Sequence, residues 1–164
     1  MSSAGSSWAD DPERQADAVM RAARVLVGVV AQSVAEVEDL VSLPQLRVLV
    51  LVAGRGNLNL GQVAEALGVH ASNATRIVDR LVVAGLLHRS EHPADRRFLS
   101  LELTDRGHEV VQQVMAHRRA AVMAVMEQMT GPQRRGLART LETFAVAAGE
   151  PPHGEEEYLL GITP

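Results

Sequence analysis

Apolar residues recur along this chain in three- and four-residue steps, switch once to alternation, and then return to helical spacing. From Pro12 to Val41, Ala16, Val19, Ala23, Leu26, Val30, Val34 and Val37 fall on one stripe, widened by Met20 and Val27. That spacing predicts a long helix. Leu43-Pro44 breaks it, and Leu46, Leu49 and Val50 mark a second helix from Pro44 to Val52. Ala53-Gly54-Arg55-Gly56-Asn57 reads as a loop. A short helix follows from Gly61 to Leu67, opened by Asn59 with Gln62 three residues on, a capping-box spacing, and closed by Gly68. The next helix spans Ala71 to Val83, with Ala74, Ile77, Val78 and Leu81 on its buried face.

Beyond Gly85 the period changes to two. Leu86–Glu91 and Arg97–Leu103 read as strands, with Leu99, Leu101 and Leu103 alternating with Phe98, Ser100 and Glu102 so that the leucines pack inward. His92-Pro93-Ala94-Asp95-Arg96 is the turn between them, with a carboxylate and a guanidinium at its tip. Thr104 is a good N-cap for a helix to Met129, striped by Val111, Val114, Met115, Val122, Val125, Met126 and Met129. After Thr130-Gly131-Pro132 a last helix, Pro132 to Ala148, carries Leu137, Leu141 and Phe144. Residues 1–11 read as a flexible Ser/Gly-rich arm containing Trp8, the sole tryptophan. The tail from 150 to 164 is acidic, then apolar, and suits either a disordered end or one folded onto the body.

Two short helices across a glycine turn form a helix-turn-helix. The second one presents Ser72, Thr75, Arg76, Asp79 and Arg80 outward, with Asn73 at the border. Those side chains have the chemistry to enter a major groove. The hairpin that follows is a wing. At these residues the chain resembles the MarR family of bacterial transcriptional regulators. The matching pattern is Leu81-Val82-Val83-Ala84-Gly85-Leu86-Leu87, then Asp95-Arg96-Arg97, then Leu101-Glu102-Leu103-Thr104-Asp105-Arg106-Gly107. The resemblance covers roughly residues 12–148. It departs at His70, where a serine-like cap is common in the family, and at both termini.

The resemblance implies a mainly α fold with a small β-hairpin wing: a winged helix-turn-helix carried on a helical dimerisation platform. Residues 12–41 and 104–149 would supply the platform, intertwined between two chains, and 42–106 the DNA-binding region. The implied function is a homodimeric repressor that reads a pseudo-palindromic operator in double-stranded DNA and is released by a small aromatic or phenolic effector. Ser72, Asn73, Thr75 and Arg76 would meet base edges or phosphates, and Arg80 the backbone. Arg96 would enter the minor groove from the wing, with Arg97 beside it, and Asp95 would orient an arginine. A winged helix that binds protein rather than DNA is the alternative.

Composition changes this picture little. The net charge of −4 counts against nucleic-acid binding until it is divided by segment. Residues 71–106 hold six Arg against five acids, whereas 1–70 hold five against eight and 107–164 five against seven. All cations are Arg, which suits bidentate contacts to guanine or phosphate and equally suits a genomic compositional bias. Arg21 and Arg24 in the first helix fit either a solvated face or an anion-binding role. With no cysteine there is no thiol sensor, and the cytoplasm is the expected compartment. Neither an uninterrupted apolar run of membrane-spanning length nor a secretory signal is expected. The glycine loop at residue 54 lacks the Gly-Lys-Ser/Thr of a phosphate-cradling loop, and no other cofactor motif is present. His70, His88, His92, His108 and His117 are scattered, so neither an enzyme nor a metal centre is expected. His88 and His92 lie across a strand and turn rather than on one helix face.

Overall fold

The structure is a computed structural model. It describes residues 11–92 and 95–149, with backbone alone at 91, 92 and 95–98. The expected arm, except for its last residue, and the 150–164 tail lie outside the described residues, as do the side chains of Asp95, Arg96 and Arg97. Among the described residues six helices and one hairpin follow in the order α1 (Pro12–Ala35), α2 (Leu43–Arg55), α3 (Leu60–Leu67), α4 (Ala71–Val83), β1 (Leu87–His92), β2 (Asp95–Leu103), α5 (Asp105–Glu127) and α6 (Gly131–Ala147).

Local chemistry explains where the helices begin. Asp11 caps α1 by accepting from the Glu13 amide at 3.1 Å, with Pro12 in the first turn, where its missing N–H costs nothing. Asn59 and Gln62 cap α3 reciprocally, at 2.9 and 3.0 Å. Thr104 caps α5 by accepting from the Gly107 amide at 3.0 Å.

Two helix ends differ from the expected ones by more than two residues. α1 stops at Ala35 rather than Val41, and a turn over residues 36–40 follows. Glu36, Glu38 and Asp39 sit where the helix macrodipole is negative, which disfavours continuation. The turn also drops Val37 and Val41 into the core, where both are buried. α2 runs on through Ala53 and Gly54 to Arg55, residues expected in a loop. Its stop is Gly56, whose φ of +57° is the left-handed backbone that glycine tolerates best.

The core lies under the reading unit. Leu46 and Leu49 from α2, Val63 from α3, Leu81 from α4 and Leu87 and Leu101 from the hairpin are fully buried there. Leu58 makes a single antiparallel bridge to Leu101 at the wing root, its carbonyl accepting from the Leu101 amide at 2.8 Å. The expected inward face of β2 holds only in part. Leu101 and Leu103 are buried, but Leu99 is exposed, because the hairpin has by then left the body. Ser100, expected outward, is fully buried, and its hydroxyl donates to Asn57 Oδ1 at 3.4 Å.

α1 packs along α5 with Val29 and Ser33 buried, whereas Leu26 and Val30 of the predicted stripe stay exposed and its Val37 is buried from the turn that follows the helix. Only the first half of α5 enters the core, through Val110, Val111 and Val114, and α6 has no fully buried residue. By length and composition α1 qualifies as a membrane span, with a mean hydropathy of 1.5 over its best 18-residue window. Arg21 and Arg24, with Asp17 before them and Gln32 and Ser33 after, divide it into shorter apolar runs.

Candidate nucleic-acid interface

The turn between α3 and α4 sets the reading helix. Gly68 has φ +64°, and the Val69 amide donates back to the Ala64 carbonyl at 3.0 Å, so the chain reverses within three residues. α4 then follows its predicted boundaries. Ala74, Val78 and Leu81 are buried, which fixes the opposite face outward. Ser72, Asn73, Arg76, Asp79 and Arg80 are exposed, while Thr75 is half-buried. The Thr75 hydroxyl donates to the Ala71 carbonyl at 2.8 Å, so it faces outward as an acceptor only. His70 stands at the N-cap without a side-chain hydrogen bond.

One residue of that face is already engaged. Asp79 accepts a hydrogen bond from the Arg89 guanidinium of β1 at 2.5 Å, joining reading helix and wing. Sequence reading placed Asp79 outward but found no role for Arg89, because nothing in helical or alternating spacing links residues ten apart on different elements. Arg76 and Arg80 have no ion-pair partner among the described residues, so both guanidinium charges are open to a ligand.

The hairpin is longer than expected. β2 begins at Asp95, paired with His92 beyond a register shift at Glu91/His92, so Asp95 and Arg96 belong to the strand backbone and only residues 93–94 separate the strands. At the wing base the Glu102 carboxylate accepts from the Ser90 hydroxyl and meets His88 Nε2 at 3.0 Å. The Ser90 hydrogen bond is the main cause holding Glu102 below the usual carboxylate range. Partial burial opposes it, and the His88 contact adds to the lowering. His88 thus faces a carboxylate rather than a second imidazole. Among the described residues no three His, Asp or Glu side chains gather as a metal would require.

Gly85, Leu86, Thr104 and Gly107 form the joint behind the reading helix. Thr104 Oγ1 donates to the Gly85 carbonyl at 2.6 Å, its amide to the Leu86 carbonyl at 3.2 Å, and Arg106 reaches the Ala84 carbonyl at 3.4 Å. The Leu-x-Leu-Thr-x-x-Gly ending is thus a clamp on the end of α4. Further back, Arg118 of α5 donates from Nε to the buried Ser33 hydroxyl at 2.7 Å, and burial lowers its pKa. Sequence spacing gave no hint of this buried polar contact, since Ser33 sits within an apolar stripe.

Comparison with known proteins agrees with this architecture. Residues 41–98 match the model of the MarR family. The HTH-type transcriptional repressor MdtR of Bacillus subtilis is 32% identical over 104 residues, covering 63% of this chain and 67% of the relative. In other curated matches the aligned stretch spans 28% to 51% of the relative's length. The crystal structure of Rv1404 from Mycobacterium tuberculosis is 44% identical with a TM-score of 0.70, covering 85% of this chain and 95% of that one. A Mycobacterium tuberculosis MarR family protein, Rv2887, solved with salicylic acid, is 25% identical with a TM-score of 0.54, covering 77% and 92%. Regulators of this kind are DNA-binding transcription factors rather than enzymes. With a matching winged helix-turn-helix, a matching repressor over two thirds of its length and a matching structure over nearly all of it, this chain belongs to the MarR family.

Proposed function

We propose that this protein is a cytoplasmic, homodimeric, sequence-specific DNA-binding repressor. The observation that carries the reading is the face of α4. Its apolar side is locked into the core, while Ser72, Asn73, Arg76 and Arg80 stand exposed on the other. In this reading Arg76, with Ser72, Asn73 and the Thr75 oxygen, reads base edges, and Arg80 holds phosphate. Arg96 and Arg97 of the wing meet the minor groove and its phosphates, with Asp95 orienting an arginine. The reading unit comprises residues 42–106, and α1, α5 and α6 make the platform. Support for the dimer comes from apolar side chains exposed in the single chain, among them Val19, Met20 and Val27 of α1, Met123 of α5, and Leu141 and Phe144 of α6. The same exposure explains the high hydropathy of α1 without a bilayer.

A small anion, aromatic or phenolic, is the proposed releasing effector. Arg118 suits it: a partly desolvated guanidinium between α1 and α5, with a serine partner and no carboxylate partner among the described residues. The test of the function is selection of genomic fragments by the purified protein. A pseudo-palindromic consensus, bound in a steeply salt-dependent way, is expected. Recovery of no enriched sequence, with no salt-dependent shift, would leave a protein-binding winged helix instead.

A further inference from the structure

We propose that Arg89 is a positioning residue for DNA reading, acting through Asp79. This rests on the DNA-binding reading above. Asp79 lies on the exposed face of α4, one helical turn from Arg76 and next to Arg80. Unpaired, its carboxylate would repel phosphates and draw Arg76 into an intrahelical i, i+3 pair. Instead it is held by Arg89 of β1, across a 2.5 Å charge-assisted hydrogen bond. The pair therefore does two things at once. It leaves Arg76 and Arg80 as unopposed cations on the reading face, and it fixes the base of the wing against the reading helix. β1 and β2 are paired from Leu87 to Leu103, so a constraint at Arg89 carries to the strand bearing Arg96 and Arg97. Reading helix and wing would then reach adjacent grooves as one rigid unit. The side chains are 32% and 52% exposed, so the pair contributes little to the core, and the fold tolerates its loss.

Charge and position make opposite predictions for Asp79→Asn. If the pair only neutralised Asp79, removing the negative charge would raise affinity for any DNA. As a positioning device, its loss lowers preference for the operator despite the more favourable net charge. Binding of the full-length protein to its selected operator and to a scrambled duplex is the measurement. Asp79→Asn and Arg89→Ala are each expected to reduce the operator-to-scrambled preference about tenfold, the double variant to be no worse than either, and the exchanged pair Asp79→Arg with Arg89→Asp to recover much of it. An unchanged or raised preference in Asp79→Asn, or additive losses in the double variant, would overturn the role of Arg89. Failure of the unsubstituted protein to prefer any sequence would overturn the DNA-binding reading itself.

Discussion

The carbonyl oxygen of Leu86 lies 2.1 Å from where a Cβ on residue 107 would stand, so Gly107 is glycine for want of space. Its helical backbone makes no demand of its own. The same carbonyl accepts from the Thr104 amide, so the start of α5 is drawn hard against the chain leaving α4. Gly107→Ala must push these segments apart, and we expect a loss of about 1–3 kcal/mol or more. Urea unfolding followed by circular dichroism measures it. An unchanged midpoint would mean that the two segments separate without cost and that the clamp does not hold the reading helix.

Much of this joint was legible before the structure, and the reason is local. Capping, glycine stops and amphipathic spacing are set within a few residues, which is why α4 and the caps at Asn59 and Thr104 appeared where expected. Expectations failed where distant parts compete. α1 ends early because Val37 and Val41 gain more in the core than on a helix. Leu99 is exposed because alternation describes a strand, not how far the sheet extends beneath it. Long-range pairs such as Asp79–Arg89 and Ser33–Arg118 leave no periodic trace at all.

The exposed arginines of α4 separate base reading from phosphate holding. Replacing Arg76 by Ala removes a proposed bidentate base contact, and we expect operator binding to weaken by about 1–3 kcal/mol while scrambled DNA is affected less. Arg80→Ala, and Arg96→Ala in the wing, should weaken all sequences more evenly and flatten the salt slope by roughly 0.9 per subunit. Titrations at several salt concentrations distinguish the two patterns. Equal behaviour of Arg76→Ala on both duplexes would remove it from base reading.

Acid stability should carry the signature of the wing base. The Ser90 hydroxyl, with His88 beside it, holds the Glu102 pKa below the ordinary 4.5. A carboxyl group depressed in the folded state stabilises it fully above the unfolded pKa and loses that contribution as pH falls through the folded value. The effect is therefore confined to pH below about 4.5 and is small, since the group is well exposed to solvent. Glu102→Gln should flatten the stability profile in that window relative to the unsubstituted protein, and Ser90→Ala should do so in part. Parallel acid unfolding curves for all three proteins would contradict the assignment.

Assembly is tested most directly on α6, which has no fully buried residue in the single chain. Phe144 is 56% exposed there and Leu141 46%, one helical turn apart on the same face. Neighbouring large apolar side chains left exposed on one helix face mark a surface for a partner to cover. In a two-fold dimer every substitution enters twice, so one carboxylate at the seam becomes two desolvated charges, each costing several kcal/mol unless paired. Phe144→Asp is accordingly expected to shift the mass measured by light scattering from twice the 17.6 kDa chain towards the single chain at micromolar concentration. Operator binding should fall with it, because half-sites about 10 bp apart are held together only by the platform. Phe144→Leu should leave both unchanged. A folded monomer of the unsubstituted protein at that concentration would sink the dimer, and a Phe144→Asp protein that stays dimeric would move the seam away from α6.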